Sequence, residues 1–456
     1  MPTLRRSCSA CAKFKHSCDR RTPSCSRCIK RKVLCVYANQ PLTAQPAEAS
    51  LEIGPPRGLP DESNALIINP FGALDPFDAY PQTRLPREHV QRLIYGFLHK
   101  IAFQYYPLDL NAVSNPFLVS WWPLALGDPA LFHVSLQTAC LDEELLAQKG
   151  FQTSEALMAD SLVLLRRKVQ DTCLAVQDGT INSVITLASI EFGKGNTQVS
   201  ETHVDGVKAL VNVRGGINAI RQTSPLTARM VSWVSMVIMG HPQFETQDDV
   251  GTGDGIPPIP EWQLEPPAHD NIISQHLDIN EEVENVFNRL RNVFHRAQTI
   301  PFSSTQLHDL TCFVIHRLLN LTSTSSLQPS PTSECVRFAI ILYMFTIHGP
   351  SYYPHAIMLD TIVTRFKEQL EKREVQSFDK DSLDVWFDSI GMVASNGSVH
   401  HQWFMEKAGN TASSLRIQTS EDALSHTRNV LWLESPHRDE LFVPYWDAAL
   451  ASGDAL

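Results

Sequence analysis

Six cysteines stand within the first 35 residues: Cys8, Cys11, Cys18, Cys25, Cys28 and Cys35. Their spacing is C-x2-C-x6-C-x6-C-x2-C-x6-C, and the frame C-S-x-C-x-K-x-K-x-x-C occurs twice, as CSACAKFKHSC (8–18) and CSRCIKRKVLC (25–35). Structural zinc takes four thiolates in a tetrahedron, and a C-x2-C pair supplies two corners. Six thiolates fill one such site with two left over, or two sites if two sulfurs bridge both metals. The repeat favours the second arrangement. Each half offers an equivalent set of three sulfurs, so the halves should fold as a pseudo-twofold pair around two zinc ions. A 28-residue segment is too small to bury a core of its own, so metal must supply its folding energy. A disulfide knot and a thiol-rich metal buffer rank behind. The opening MPTLRRSCSACAKF lacks the apolar stretch of a secretory signal, which points to a reducing interior.

Charge is distributed unevenly. Residues 1–40 hold ten Lys and Arg (Arg5, Arg6, Lys13, Lys15, Arg20, Arg21, Arg27, Lys30, Arg31, Lys32) against one acid, Asp19. The whole chain carries −11, so this +9 head leaves −20 on residues 41–456. With six thiolates and two zinc ions the head would still stand near +7. A basic head on an acidic body implies that only the head meets a polyanion.

The cysteine frame resembles the fungal binuclear zinc cluster, a DNA-binding domain of transcription regulators. All six spacings match, as does Pro23, two residues before the fourth cysteine. The resemblance implies that Cys8 and Cys25 bridge the two metals, and that a short helix after the first C-x2-C enters the major groove. It assigns base contact to the lysine four residues after the second cysteine, here Lys15, and a preference for CGG triplets. The family usually has basic residues one, three and six positions after that cysteine. In this chain they are Ala12, Phe14 and Ser17, and the charge sits instead on Lys13, Arg20 and Arg21 and, in the second half, on Lys30, Arg31 and Lys32. Phosphate contacts can come from any nearby cation, so Lys13, Arg20 and Arg21 are candidate DNA contacts beside Lys15.

The elements that carry this head follow from composition. Residues 41–86 contain nine prolines and no run of three apolar heptads, which predicts a flexible, proline-rich linker rather than a dimerising coiled coil. As a coil, its 46 residues would span roughly 35–40 Å. Monomeric binding and homodimerisation through the body both stay open. From residue 87 to 456 the apolar period is near 3.6, with no convincing alternating strand, which predicts a large all-α regulatory domain. Helices are expected at 87–105, 129–148, 181–193, 198–213, 226–239, 304–322, 334–347, 356–373, 381–395 and 400–415. Met158, Leu162, Leu165, Val169 and Cys173 form one apolar stripe, and Val283, Phe287, Leu290, Phe294 and Ala297 another, opened by a capping box from Asp278 to Glu281. The glycine pair ending VKALVNVRGG (207–216) suits a left-handed cap. HVDGVKALVNVRGG (203–216) and ARMVSWVSMVIMG (228–240) resemble the helical regulatory region found downstream of the cluster in many fungal regulators, a region with no common catalytic site.

Other chemistry is thinly represented. Cys140, Cys173, Cys312 and Cys335 have no partner at ligand spacing, and Cys173 and Cys312 fall on apolar stripes as expected buried thiols. FGKGNT (192–197) lacks the phosphate-loop frame and is expected to stop a helix. DDVGTGDG (248–255) lacks the register of a calcium loop and lies in a loop, 241–272, with six prolines. His400 and His401 are adjacent and point apart on a helix. The longest apolar run, FAIILYMF (338–345), is far short of a membrane span of roughly 20 residues. DELFVPYWDAALASGDAL (439–456) has the composition of an activation segment, but a last amphipathic helix packed on the body is the preferred reading. The expectation is a nuclear, non-enzymatic regulator of RNA polymerase II transcription. It would bind two zinc ions and double-stranded DNA and act through a coactivator or corepressor, with no membrane partner. It would control, by association, a metabolic or biosynthetic gene cluster. The alternative is a non-catalytic zinc-cluster interaction module that binds protein or nucleic acid without sequence preference.

Overall fold

The computed structural model describes residues 9–14, 17, 26–31, 80–104, 112–148, 150–264, 278–321, 330–349, 356–375, 380–434 and 439–453. The chain divides into two units, Met1–Phe71 and Gly72–Leu456. In the first unit the described elements are two short helices, α1 (Ser9–Lys13) and α2 (Ser26–Arg31). The linker prediction for 41–86 falls almost wholly outside the described residues.

The second unit is all-α among its described residues, with one isolated bridge between Thr246 and Ile256. Its first half begins with α3 (Arg87–Gly96), continued by a π-helical turn at Phe97–Ile101 and α4 (Ala102–Gln104). A second π-helical turn at Phe117–Trp121 leads into α5 (Trp122–Gly127). Then follow α6 (Pro129–Ala147), α7 (Gln152–Gln170), α8 (Thr172–Ala175), α9 (Asp178–Gly193), α10 (Thr197–Val213), α11 (Ile217–Thr223) and α12 (Pro225–Met239). The second half comprises α13 (Glu281–Ala297), α14 (Ser304–Asn320), α15 (Pro331–His348), α16 (Ala356–Glu374), α17 (Ser382–Ala394), α18 (His401–Leu415), α19 (Ser420–Val430) and α20 (Asp439–Gly453). No described helix is long and apolar enough to cross a membrane.

Each half is organised around helices buried on nearly every side. In α6 the run Ala130–Leu141 is buried throughout, and α9 packs against α6, α7, α10 and α12. In the second half α15 and α17 take this role, flanked by α13, α14, α16, α18, α19 and α20. These four central helices are buried around most of their circumference, mainly by apolar side chains, with polar groups such as Ser135, Asn182 and Asp388 enclosed among them. Gly391 of α17 shows how closely they approach: a Cβ there would stand 2.1 Å from the Phe404 ring of α18. Tyr343, Trp386 and Trp432 pack together at the centre of this half. The Trp386 indole donates to the Leu431 carbonyl at 3.0 Å, and the Leu433 amide donates to the Tyr343 hydroxyl at 2.9 Å.

The helix ends largely match the sequence, with two corrections. The glycine pair after α10 forms the expected cap: Gly215 and Gly216 have φ of 98° and 94°, and the Gly216 amide donates to the Val211 carbonyl at 2.9 Å. The start of α13 is not the predicted capping box. Asn280 is the cap, its side chain accepting from the Glu282 amide at 2.9 Å, because the chain turns helical two residues later than Asp278 allows. The stripe ending at Cys173 is also interrupted. Asp171 ends α7 and accepts from the Cys173 and Leu174 amides to start α8, so the apolar register is lost and Cys173 is exposed rather than buried. Cys312 is buried, as its stripe predicts.

Two buried ionic groups tie the fold together. Asp309 of α14 accepts two bonds each from Arg221 of α11 and Arg229 of α12, at 2.7–3.1 Å, joining the two halves. Burial alone would raise its pKa, but the bonds and charges of both arginines outweigh that and hold it at about 2. Deep in the second half, Lys407 of α18 donates to Asp388 of α17 at 2.8 Å, beside the Arg373–Asp384 pair. Burial disfavours the Lys407 ammonium, yet Asp388, Asp384 and Glu374 outweigh it and push its pKa up to about 12.

Lys407→Met is expected to leave Asp388 as an uncompensated buried carboxylate and to destabilise the body by about 3–5 kcal/mol; Asp388→Leu combined with Lys407→Met should recover most of that loss in denaturant unfolding. For Asp309 the folded pKa lies below the usual carboxylate value. Its stabilisation, about 2 kcal/mol, is therefore fully present above pH ~4 and lost as pH falls towards 2. Asp309→Asn should lower stability at pH 7, and the gap from the parent chain should close across that acid window.

Candidate nucleic-acid interface

The two helices of the first unit are built alike. Each begins one residue after the first cysteine of a C-x2-C pair and carries the second, Cys11 in α1 and Cys28 in α2. The helices thus include the second cysteine rather than follow it, a small correction to the predicted placement. They pack against each other. Cys11 is 3% exposed and Cys28 2%, although helices of five and six residues offer little apolar surface to bury a side chain against.

Burying two thiols in so small a segment fits metal coordination. The donor set is all sulfur, soft and tetrahedral in preference, which suits zinc. Among the described residues no three ligand-type side chains gather, since Cys8, Cys18, Cys25 and Cys35 lie outside them.

Charge covers the outside of these helices. Lys13 closes α1, and Lys30 and Arg31 close α2, where a cation meets the negative end of the helix dipole. Lys13, Arg27, Lys30 and Arg31 are exposed, as are Phe14 and Ser17. The Phe14 amide donates to the Ala10 carbonyl at 3.2 Å, continuing the turn of α1. Lys15, Arg20 and Arg21 lie outside the described residues. Arg27 joins this exposed set and occupies the frame position where the first half has Ala10. Aligning the two halves of the frame marks it as a cation the first half lacks.

The reactive-looking groups of the body have other partners. Cys140 lines a cavity of about 260 Å³ with His89, Arg92, Glu143, Glu144 and Thr153. Burial, and then the Glu144 and Glu143 charges, push its thiol up to about 12, so it is not a thiolate nucleophile at neutral pH. Burial likewise raises Cys312 and Cys335 to about 12. His400 meets Thr364 at 3.0 Å and His401 meets Ser395 at 3.3 Å, so the adjacent histidines serve separate contacts. In 248–255, Asp248 accepts from the Val250 and Thr252 amides, while Asp249 accepts from Trp262 and Asn285 and pairs with Arg317 and Arg289. The acidic loop is a structural brace over α13 and α14. FGKGNT ends α9, with Gly195 at φ 84° and the Asn196 amide donating to the Glu191 carbonyl. The C-terminal segment forms α20 with Phe442 and Trp446 buried, and the Trp446 indole donates to Ser389 at 2.9 Å.

Comparison with protein families matches residues 6–44 to the fungal Zn(2)-Cys(6) binuclear cluster domain. It matches residues 92–239 to the fungal specific transcription factor domain. The chain thus carries, in this order, a match to a zinc-cluster domain and a match to a transcription factor domain of fungi. The first match is to a zinc-binding domain type and the second to a domain type of transcription factors. The second match takes in α6 and α9–α12 and ends with α12. The transcription factor pgmR of Aspergillus terreus is 38% identical over 76 residues, which are 16% of this chain. The chain spans 41% of the length of that curated relative. No solved structure gives a significant match.

Stripping zinc from the full chain with a chelator is expected to open α1 and α2 to rapid proteolysis while the main melting transition stays where it was. Zinc should restore protection. Continued protection of the head after complete zinc removal would contradict a metal-built segment.

Proposed function

We propose that this chain is a sequence-specific DNA-binding regulator of RNA polymerase II transcription, with the division the sequence suggests: a zinc-cluster head (1–40), a linker (41–86) and a helical regulatory body (87–456). The observation that carries the reading is the pair of thiol-burying helices with exposed cations on a head whose charge opposes that of the body. Two zinc ions would be held by Cys8, Cys11, Cys18, Cys25, Cys28 and Cys35, with Cys8 and Cys25 shared between them. The metals make no contact with DNA in this reading; they fix the helices so that side chains can.

Lys15 contacts base edges, where a lysine ammonium can donate to the paired acceptors of guanine, and this selects a CGG-like site. Lys13, Arg20 and Arg21 neutralise phosphates and set affinity rather than sequence. The body receives a coactivator or corepressor, and the genes controlled form a metabolic or biosynthetic cluster. The body's −20 charge keeps it off the duplex. A second reading, an interaction module without sequence preference, draws on Ala12, Phe14 and Ser17 standing where relatives carry cations.

Selection of sites from a random duplex pool by the zinc-loaded full chain separates the two. Enrichment of a CGG-like half-site, lost in Lys15→Ala, is the expected result. Folded, zinc-loaded protein that retains DNA without enriching any sequence would replace the regulator with the interaction module.

A further inference from the structure

Phe14 is the one large apolar side chain exposed in the head, among the residues whose side chains are described there. The residue is 57% exposed. A single exposed aromatic is ordinary on a large protein surface. Its position is what sets this one apart. It follows Lys13, the exposed last residue of α1, within the same turn, and it directly precedes Lys15 in the chain. The other exposed residues described in the head are Lys13, Ser17, Ser26, Arg27, Lys30 and Arg31, all polar or charged. A cation at position 14 would add a phosphate contact, and phenylalanine cannot.

Duplex DNA presents few apolar groups to a side chain in the major groove. The edges of guanine, adenine and cytosine show donors and acceptors, while thymine adds a C5 methyl group that apolar side chains contact. We infer that Phe14 reads a thymine methyl group next to the bases contacted from the end of α1, so that the half-site is a guanine-containing triplet with a thymine at a fixed flanking position. The inference rests on the DNA-reading function proposed above and adds to it a sequence determinant that is not charge-based. Contact with the ring removes the methyl group and part of the ring from water. Burial of one methyl-sized group corresponds to about 0.8 kcal/mol, or about fourfold in affinity. The contact carries no charge, so its contribution does not fall with salt as phosphate contacts do.

The test uses the full zinc-loaded chain and the site it enriches from a random pool. Each thymine of that site is replaced singly by deoxyuracil, which keeps base pairing and removes only the methyl group. One replacement is expected to weaken the parent chain about fourfold and to leave Phe14→Lys unaffected; that variant should also show a steeper salt dependence. Because the residue is exposed, Phe14→Lys leaves the head folded, which zinc content and protease protection check. An enriched site lacking thymine, equal binding to every deoxyuracil duplex, or the same loss in Phe14→Lys would overturn the inference and leave the regulator standing. Failure to enrich any sequence would remove both.

Discussion

In the proposed function, thiolate–metal bonding is the constraint on which the head depends. Helices of five and six residues cannot hold themselves together in water, because nucleating a turn costs more than so few hydrogen bonds return. Nor can they bury a core. What α1 and α2 do bury is sulfur, at Cys11 and Cys28, and the cations beside each thiol are thereby placed on the outside. The same bonds therefore settle both fold and electrostatics. In the proposed cluster metal would gather the chain around its cysteines, and the cations described there, Lys13, Arg27, Lys30 and Arg31, lie on the surface.

The body handles charge in the opposite way. Seven of its arginines are drawn into internal pairs: Arg214 with Asp178, Arg221 and Arg229 with Asp309, Arg289 and Arg317 with Asp249, Arg337 with Glu334, and Arg373 with Asp384. Cations held by buried or half-buried acids are poor attractors of a polyanion, and the net charge of the body is strongly negative. A division of labour follows from physics rather than from homology. Under the proposed function the positively charged head would attract nucleic acid, and the acidic helical body would offer the surface on which control is exerted.

Much of this was legible in the sequence, for reasons that differ by region. The cysteine frame is a ligand pattern, and ligand spacing is a local property that survives without knowledge of tertiary contacts. The buried helices were visible because apolar periodicity over ten or more residues reflects a face or a whole helix turned to the core, as in α6, α15 and α17. What the sequence hid depended on distance or on competition. Asp309 meets Arg221 and Arg229 from 80 or more positions away, which no local pattern records. The segment 248–255 lacks a calcium-loop register, but no local pattern shows that Trp262, Asn285, Arg289 and Arg317 supply Asp249 with partners. At Cys173 a capping aspartate overrode the apolar stripe, and at Asp278 a better-placed asparagine took the cap. The aromatic C-terminus, which composition alone allowed to be an activation segment, is anchored by Phe442 against Trp432 and by the Trp446 bond to Ser389.

The central claim is that a metal-built basic head recognises sequence and not merely charge. The most direct measurement compares the affinity of the zinc-loaded chain for its enriched duplex and for a shuffled duplex of the same composition, at physiological salt and across a salt series. The account predicts a ratio of at least about a thousandfold, with non-specific binding falling away as salt rises while the preferred duplex stays bound. Affinities within about tenfold of each other, declining together with salt, would contradict it.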